Sequence, residues 1–373
     1  MTSPVTPASK KVVQILYSGL GGHGSVAFSL ARAKGAEQWL NVFGFVGVEP
    51  LLPAYRDFCT RNGFDFASFS APPGRPWRQW GAIFRWLRKI RPDAIILHSP
   101  PSLPPILGFT LVSGIRPVVV EHQPNALKKR SDWIFGAIAM LAARNIVLLT
   151  PVYRAEMRAK FRAIFRSNKV ELIPNGIDIC KFRPMPVRRG EESKVRLGMA
   201  ARFTRAKRQD TLIDMMSTLM QRRPDIDWCL ELPGDGETHE EIAKRVKAFG
   251  LESRVVLPGN LDELELASWY KTLDIYLHAS DGETLSTSML QAMATGLPIV
   301  GSNVEGIRGL LTGSEVCGIL ARNGDPCDFA HAVIDLVSDT ERSKLLGRKG
   351  RKLCENEFST NKMRTSYELL LRK

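Results

Sequence analysis

The chain has 373 residues, of which 44% are hydrophobic and 24% are charged, and its net charge is +14. A chain of this length normally forms two domains, and its composition excludes a disulfide-stapled mini-protein, a disordered chain and a fibrous repeat. The positive charge favours an anionic partner: nucleic acid, a membrane surface or a phosphorylated substrate.

The excess charge lies almost entirely in the first half. Residues 1–180 contain 23 Lys or Arg against 10 Asp or Glu, whereas the remainder contains 29 against 28. The first half therefore carries +13 and the second +1. This division indicates that the two halves face different partners.

Targeting signals are not evident. The first residues lack a basic region followed by an apolar one, so we expect no signal peptide, and the longest apolar run, Trp133–Ala143, is about half the length that spans a bilayer. The six cysteines show no C-x-x-C spacing, which is typical of reduced thiols and argues against structural zinc. We expect a cytoplasmic protein that is not integral to a membrane.

Short β-branched runs alternate with longer helix-compatible stretches, a pattern typical of buried parallel sheets. The predicted strands of the first half are Val12–Tyr17, Val42–Val46, Ala94–Leu97, Val118–Val120, Ile146–Leu149 and Val170–Ile173. Those of the second half are Val195–Met199, Trp228–Leu232, Val255–Leu257, Ile275–Leu277, Ile299–Val300 and Gly318–Leu320. We predict an α/β fold with two Rossmann-like, doubly wound domains facing a cleft.

The domain boundary is predicted in a segment rich in Pro and charge, Lys181–Ser193. Residues 1–185 form the first predicted domain and residues 186–355 the second. Residues 356–373 are expected to form a C-terminal helix that packs back towards the first domain.

A glycine-rich loop follows the first predicted strand. Gly19, Gly21 and Gly24 match G-x-G-x-x-G, and Glu49 ends the second strand near the position of a ribose-binding carboxylate. Such a loop can bind a phosphate at the start of the next helix. A nicotinamide enzyme and a plain tight turn both remain open at this point.

Two histidines follow strands of the same half, His98 and His122. A histidine at a strand end can bind sugar hydroxyls or a carbonyl group, and it can carry charge near neutral pH. The alternative is a half-buried histidine that is hydrogen-bonded within the fold. No metal-ligand spacing accompanies either residue.

Basic and glycine-rich loops follow the strands of the second half. Arg202 and Lys207 could converge on a diphosphate, although solvated basic loops are common. The turns Leu232–Glu237 and Leu257–Asp262 open towards the same sheet edge, and the latter could hold a flat base. Asp225–Asp227 fits D-x-D but precedes a strand, which favours a lead-in turn.

The segment Ser280–Pro298 carries the most information. Glu283 is expected at a loop–helix junction, and Gln291 two turns down the same helix, so that both side chains address one extended ligand. The N–H groups of Leu285 and Ser286 would point at a phosphate, and Gly296 would end the helix. Taken alone, the segment also fits an ordinary acidic first turn and a solvated Gln.

Together these segments resemble the family 4 retaining glycosyltransferases of the GT-B fold. Glu283-x7-Gln291 followed by Ala-Met-Ala looks like the family's E-x7-E motif. Further matches are Gly21-Gly22, Ile173–Asp178, Arg202 with Lys207, Gly234-Asp235-Gly236 and Asn323–Pro326. Three departures stand out: Gln291 replaces the second Glu, Thr284-Leu285-Ser286 replaces Gly-Phe-Gly, and Glu305-Gly306 replaces Gly-Gly.

The resemblance implies a metal-independent hexosyltransferase-type enzyme. It would move a sugar from a nucleotide diphosphate sugar, with UDP-sugar as the expected donor, to a glycan or lipid-linked acceptor in cell-envelope polysaccharide or lipopolysaccharide synthesis. No cofactor is implied, since the nucleotide sugar is a substrate. The alternatives are a nucleotide-sugar epimerase on the same fold, an NAD-dependent oxidoreductase and a non-catalytic binding module.

The resemblance also implies roles for individual residues. Arg202 and Lys207 would neutralise the diphosphate, Glu283 would contact the donor-sugar hydroxyls, and His122 would lie beside the donor sugar. These four are the implied catalytic residues. The implied donor-binding set is Gly21, Gly22, Arg202, Lys207, Gly234, Leu261 at the base, Glu283, Thr284, Leu285, Ser286 and Gln291 at the ribose.

Amphipathic segments with basic faces explain where the first-half charge lies. Trp77–Arg91 is one, and Tyr153–Arg166 is another, with Arg158, Arg162 and Arg166 as a predicted i, i+4 ladder. Lys128–Arg130 adds a third cluster. Solvated helix faces are the plain alternative. We expect an anionic membrane surface as a partner, on the inner face of the cytoplasmic membrane, and no nucleic acid, because no recognition motif is present.

Overall fold

The computed structural model describes residues 9–19, 21–35, 38–72, 76–98, 100–185 and 194–372. The chain divides into two compact units, residues 1–176 with 360–373 and residues 177–359. Most of the predicted linker, residues 186–193, lies outside the described residues, as do Leu20 of the glycine-rich loop and Ser99 after His98.

The first unit contains a parallel sheet. Its elements are β1 (Lys10–Tyr17), α1 (Gly22–Arg32), β2 (Trp39–Gly47), α2 (Pro53–Arg61), β3 (Asp65–Ser70), α3 (Trp80–Ile90), β4 (Ala94–Leu97), α4 (Leu103–Ser113), β5 (Val118–Val120), α5 (Arg130–Ala142), β6 (Asn145–Leu148), α6 (Pro151–Lys160) and β7 (Val170–Leu172). The strands pair in the order β3-β2-β1-β4-β5-β6-β7. The direction of winding therefore reverses between β1 and β4.

Helices cover both faces of this sheet because successive strand residues point to opposite sides. Val13 and Ile15 of β1 belong to a core that includes Ile83 of α3 and Ile106 of α4. Leu16, one residue along, belongs to a separate core with residues of α1 and α2. Because both faces of these strands are buried, nearly every residue in them is apolar, and these apolar runs are the pattern from which the strands were predicted.

The second unit repeats the plan. Its elements are β8 (Lys194–Gly198), α7 (Gln209–Arg222), β9 (Asp227–Glu231), α8 (His239–Ala248), β10 (Val255–Val256), α9 (Glu263–Tyr270), β11 (Ile275–His278), α10 (Thr287–Thr295), β12 (Ile299–Ser302), α11 (Glu305–Leu311), β13 (Ile319–Ala321), α12 (Pro326–Ser338) and α13 (Thr340–Glu357). The strands pair in parallel in the order β10-β9-β8-β11-β12-β13. Here the winding reverses between β8 and β11.

The last helix, α14 (Thr360–Arg372), belongs to the first unit. Its Arg364 is 2% exposed, pairs with Glu368 at 2.9 Å and lies 3.4 Å from the ring centre of Trp39. Lys10 donates to the carbonyl of Leu371 at 2.9 Å. These buried contacts attach the C-terminal helix to the start of β1 and β2.

The predicted α/β class with two doubly wound sheets is confirmed. The strand β3 was not predicted, because it is an edge strand whose residues are exposed or half-buried and so form no apolar run. Among helices of the described ranges, none combines the length and apolarity needed to cross a membrane.

The predicted basic ladder on the second amphipathic segment is wrong. Helix α6 ends at Lys160, so Arg162 and Arg166 lie beyond it and are not one turn apart on a helix with Arg158. The helix ends because Phe161 leaves the helical conformation as its C-terminal cap, and Phe161 and Phe165, both 9% exposed, pack into the core of the first unit.

Candidate active site

Two loops of the second unit meet at the point where its strand order reverses. One follows β8 and ends in the short helical turn Arg205–Lys207, and the other follows β11. The carbonyl of Ala206 accepts hydrogen bonds from the N–H of Asp281 at 2.8 Å and from the hydroxyl of Ser280 at 3.1 Å. Ligands of open α/β sheets bind at such reversal points.

These loops bring Lys207, Glu283 and His278 together. The ammonium group of Lys207 pairs with Oε1 of Glu283, and Nε2 of His278 lies 2.8 Å from the same oxygen. His278 is fully buried, and the side chain of Glu283 is 11% exposed. Because a carboxylate only accepts hydrogen bonds, His278 donates from Nε2. The carboxylate is thus held from two sides.

The charges of this cluster follow from its surroundings. Burial by itself raises the pKa of the Glu283 carboxyl, but the charge of Lys207 and the hydrogen bond from His278 outweigh it and lower that pKa to about 2. Burial lowers the pKa of His278 below its usual value. At neutral pH, Glu283 is therefore an anion and His278 a neutral donor.

Glu283 and Gln291 do not share a helix, so that prediction is wrong. Helix α10 begins at Thr287 because the hydroxyl of Ser286 accepts from the N–H of Met289 at 3.4 Å and caps the helix there. Gln291 is 6% exposed, and its Oε1 lies 3.2 Å from the hydroxyl of Tyr270. Its contact with a ribose stays a prediction. The predicted helix end is confirmed, since Gly296 has a φ of 81°.

The loop that carries Glu283 rests on Gly306, at the start of α11. A Cβ at Gly306 would overlap the backbone carbonyl of Glu283 and crowd that of Thr284. The glycine retained from the family's Gly-Gly pair therefore permits the close approach of two backbones. It supports Glu283 without touching its carboxylate.

Replacing Gly306 by Ala should therefore displace the loop and weaken ligand binding and turnover at this site by about tenfold or more, since an error of about 1 Å in such a site can cost 10²-fold. Gly309→Ala is the matched control, because a Cβ on that residue of the same helix meets nothing within 4 Å. Steady-state kinetics of both variants tests this. Equal activity of the two would show that the loop does not depend on Gly306.

The predicted glycine turn packs against the backbone of Ala201 and Phe203, the residues on either side of Arg202. Gly234 and Gly236 have φ values of 139° and 152°, and a Cβ on either would overlap the carbonyl of Ala201 or Phe203. The N–H of Phe203 donates to the carbonyl of Asp235 at 2.9 Å. The backbone on both sides of Arg202 is therefore fixed by contacts with the turn after β9.

Most predicted donor-binding residues of this unit lie in loops at one edge of its sheet. The N–H of Gly234 donates to the carbonyl of Gly259 at 2.8 Å, which links the turn after β9 to the loop after β10. Leu261 in that loop is half-buried. The residues in these loops are Arg202, Lys207, Gly234, Leu261, Glu283, Thr284, Leu285 and Ser286.

Arg208 supports the site and was not predicted. It has a left-handed backbone, with a φ of 44°, directly after Lys207. Its guanidinium lies 3.1 Å from Asp210 and 3.3 Å from Asp281, and Asn323 donates to Asp281 at 2.9 Å. The loop Asn323–Pro326 is thereby tied to the loops of Lys207 and Glu283.

The glycine-rich loop of the first unit is crowded by side chains. Gly21 precedes α1, and the hydroxyl of Tyr55 donates to its carbonyl at 3.2 Å. A Cβ at Gly24 would overlap that hydroxyl, and a Cβ at Gly19 would overlap the carboxylate of Glu49. Gly22 is the first residue of α1. A Cβ at Gly21 would in turn overlap the ring of His23, so packing crowds all three glycines of G-x-G-x-x-G.

The two predicted histidines are hydrogen-bonded to each other. Nδ1 of His98 lies 3.1 Å from Nε2 of His122. Burial lowers the pKa of His98, with a further contribution from His122, and it lowers the pKa of His122 to about 3, helped by His23. Both rings are therefore neutral at physiological pH, and the hydrogen bond between them agrees with the alternative of histidines bonded within the fold.

Lys128 is not part of an exposed basic cluster, which corrects that prediction. Its side chain is 1% exposed and pairs at 2.7 Å with Glu121, the residue before His122. The hydroxyl of Tyr153 lies 3.2 Å from the same carboxylate oxygen, and the ring of Trp133 lies 4.9 Å from the ammonium group. The neighbouring Lys129 and Arg130 are exposed.

The D-x-D segment is engaged in local ion pairs. Asp225 lies 2.6 Å from Arg223, and Asp227, at the start of β9, lies 2.7 Å from Arg254. These contacts agree with a lead-in turn. Within the described ranges, no group of three His, Cys, Asp or Glu side chains is placed to hold a metal ion.

Family comparisons match both halves of the chain. Residues 20–181 match the family described as Glycosyltransferase Family 4, and residues 194–339 match the one described as Glycosyl transferases group 1. Between them, the matches leave out the N-terminal segment, the linker and the last helices.

Curated relatives have related names. A D-inositol 3-phosphate glycosyltransferase of Paenarthrobacter aurescens is 25% identical over 68% of this chain and 61% of its own length. A lipopolysaccharide core biosynthesis mannosyltransferase of Rhizobium meliloti is 26% identical over 54% of this chain and 61% of its own length. The chain thus spans about three fifths of the length of these relatives.

The fold also matches solved structures. The HepE protein of Anabaena, in complex with UDP and glucose, superimposes with a TM-score of 0.81 at 16% identity, covering 98% of this chain and 100% of HepE. A sucrose-phosphate synthase of Thermosynechococcus elongatus gives 0.78 at 18% identity, covering 97% and 98%. With the two sheets, the reversal-point loops and both family matches in agreement, the chain belongs to the family 4 glycosyltransferases and has the GT-B fold.

Proposed function

We propose that the chain is a retaining glycosyltransferase that moves a hexosyl group from a nucleoside diphosphate sugar, with UDP as the nucleotide, to a hydroxyl of a glycan or lipid-linked acceptor. The observation that carries this proposal is the cluster of Lys207, Glu283 and His278 at the reversal point of the second sheet. It places a cation and a fixed carboxylate next to each other, which suits a ligand with both phosphates and sugar hydroxyls.

Each side chain of the cluster has a distinct role in the proposed sugar transfer. When the sugar leaves, negative charge develops on the diphosphate, and Lys207 with Arg202 stabilises it. Lys207 must then turn from Glu283 towards phosphate, while the hydrogen bond from His278 keeps the carboxylate in place to accept from sugar hydroxyls. Retention of configuration would follow from attack on the face that the leaving phosphate occupies, with that phosphate accepting the proton of the acceptor hydroxyl.

The relatives support this choice of substrate class. The HepE structure contains UDP and glucose, and the Rhizobium relative is named as a mannosyltransferase of lipopolysaccharide core biosynthesis. We propose on this basis a UDP-sugar donor and a role in cell-envelope polysaccharide or lipopolysaccharide synthesis. Gln291 would bind the ribose, Leu261 the base, and the amides of Leu285 and Ser286 the phosphates.

Thermal shift with a panel of UDP-, GDP- and ADP-sugars and NAD tests the donor. UDP-sugars should raise the melting temperature, since a ligand at 100 times its Kd stabilises the native state by about 2.7 kcal/mol; stabilisation by GDP- or ADP-sugars alone would contradict the choice of nucleotide. Stabilisation by NAD with no response to any nucleotide sugar would contradict the proposal and support the oxidoreductase alternative.

The reaction itself is tested on the stabilising donor. Transfer to an acceptor hydroxyl with the anomeric configuration retained, in the presence of excess EDTA, is expected. A strict requirement for Mn²⁺ or Mg²⁺ would contradict the metal-independent mechanism. Conversion of the nucleotide sugar into another nucleotide sugar without transfer would identify an epimerase instead.

We propose further that the first unit docks on an anionic membrane through α3 and its neighbour α4. Arg85, Arg88 and Lys89 of α3 are exposed, and Leu111 at the end of α4 is 88% exposed. Basic side chains beside exposed apolar ones suit an acidic lipid surface. The enzyme would then be peripheral on the cytoplasmic side.

Reversing two of these charges, Arg85→Glu with Lys89→Glu, should lower binding to anionic vesicles at least tenfold, because each basic residue near acidic lipid contributes about 1 kcal/mol. The control is Lys244→Glu with Lys247→Glu on the exposed face of α8. Liposome co-sedimentation at low salt measures the effect. Equal partition of the wild type onto neutral and anionic vesicles would contradict docking by charge.

A further inference from the structure

A row of buried polar side chains crosses the sheet of the first unit. Gln14 on β1 is fully buried, Asn41 on β2 is 6% exposed, and His98 after β4 is 4% exposed. These elements are neighbours in the sheet, and the row continues to His122 after β5. Buried polar groups are costly unless they are hydrogen-bonded, so a row of this length needs a complete set of partners.

Each member of the row bonds to the next. Asn41 Nδ2 lies 3.5 Å from the carbonyl of Ala31, and Gln14 Nε2 lies 3.0 Å from Asn41 Oδ1. Oε1 of Gln14 lies 3.2 Å from Nε2 of His98, and Nδ1 of His98 lies 3.1 Å from Nε2 of His122. The row therefore links the carbonyl of Ala31 in α1 to His122, which follows the carboxyl end of β5.

The direction of the hydrogen bonds is set at the Ala31 end. A carbonyl accepts, so Asn41 donates its amide N–H there and accepts from Gln14. Gln14 then presents Oε1 to His98, which must donate from Nε2. A neutral imidazole with a proton on Nε2 has its lone pair on Nδ1, so His98 accepts from His122.

We propose that Gln14 and His98 are positioning residues that hold His122 in the tautomer with its proton on Nε2, so that a substrate group which meets Nδ1 must be a hydroxyl donor and not a phosphate or carbonyl oxygen. The part about substrate rests on the proposed function; the tautomer does not. The lowered pKa of both histidines, from burial, agrees with two neutral rings.

The row restricts which of the two histidine rings can take a second proton. His98 cannot take a proton on Nδ1 without facing the N–H of His122, whereas His122 can take one on Nδ1 and still donate from Nε2. The row thus keeps His98 neutral and allows a second ring proton only at His122. His23, in the first turn of α1, is the neighbouring titratable group whose charge opposes protonation of both rings.

Long-range ¹H–¹⁵N NMR of the histidine rings tests the tautomer without any substrate, and the six histidines of the chain give an assignable spectrum. At pH 7, His98 and His122 should both carry the proton on Nε2. Gln14→Met removes the acceptor of His98 and should mix the tautomers of both rings. Gln14→Glu keeps the acceptor for Nε2 of His98, although it gives up the N–H that Asn41 accepts, and should restore the Nε2 tautomer of both rings.

A proton on Nδ1 of His122 in the wild type would overturn the proposal, even if no variant folds. Gln14→Met with both tautomers unchanged would do the same. In transfer kinetics, Gln14→Met should lower kcat/KM about tenfold, the worth of one hydrogen bond, and Gln14→Glu should recover part of it.

Binding of the nucleotide sugar or acceptor should move the Nδ1 resonance of His122 as expected for an accepted hydrogen bond, and a protonated Nδ1 in the complex would contradict the assignment of a hydroxyl donor. If the tautomers are as expected but no nucleotide sugar is turned over, the proposed function fails while the positioning row stands.

Discussion

Replacing Lys207 by Met should lower kcat for sugar transfer by 10²–10³-fold, about the cost of removing one preorganised donor from a developing negative charge. Met keeps most of the length and apolar stem of Lys, so the loss reports on the ammonium group. In the structure, the ammonium group pairs with Glu283. The diphosphate would lose its cation in the variant, and the leaving group would carry its charge uncompensated.

Lys244→Met is the matched control for this variant. Lys244 also pairs with a carboxylate, Glu240 at 2.7 Å, but it is 75% exposed on a surface helix, where such pairs contribute little. Steady-state kinetics should show wild-type rates for it. If Lys207→Met retains more than about a third of the wild-type kcat, Lys207 is not the leaving-group cation.

Glu283→Gln should lower kcat/KM by about 10²-fold while the protein stays folded. The amide keeps the shape of the carboxylate and one acceptor oxygen, but it loses the charge that attracts Lys207 and that accepts strongly from sugar hydroxyls. Glu263→Gln is the control, because Glu263 forms a comparable pair with Lys181 at 2.9 Å on α9. Full activity of Glu283→Gln would show that the reaction does not depend on the Glu283 carboxylate.

The same variant should change the pH dependence of stability. The folded pKa of Glu283, about 2, lies below the unfolded value near 4.5, so the ionised group stabilises the native state above pH 4.5 and this contribution is lost as the pH falls from 4.5 to 2. Between pH 6 and pH 3, the wild type should lose about 2 kcal/mol more of its free energy of unfolding than Glu283→Gln. Urea titrations at both pH values measure the difference; equal losses would show that the carboxylate is not held by Lys207 and His278.

Patterns along the chain were sufficient for the α/β class and for most strands, because parallel strands covered on both faces form apolar runs. The edge strand β3 lacks such a run, and its alternation of exposed and half-buried residues was not recognised. Lys207 and Glu283 were singled out because each lies in a loop after a predicted strand, and their roles came from the family resemblance. Their pairing was not predicted, since it depends on how Ala206 bonds to the loop after β11.

The sequence contains a pattern that indicates the residues supporting the two sites, although the prediction did not use it. His278, Gln14 and Asn41 are polar residues within otherwise apolar strands, and such residues must find buried partners. Lys128 was wrongly predicted to be exposed. Its neighbours Lys129 and Arg130 suggested a surface cluster, but Glu121 lies across the loop and takes Lys128 into the core. Sequence adjacency does not reveal that contact.

Calorimetric titration of UDP and of NAD into the wild type and Lys207→Met tests whether Lys207 belongs to a diphosphate site. We expect that UDP binds the wild type, that Lys207→Met weakens this binding by tenfold or more through loss of a charge-assisted contact, and that NAD binds neither protein. Equal affinity of both proteins for UDP, or binding of NAD in its place, would contradict a diphosphate site built on Lys207 and Glu283.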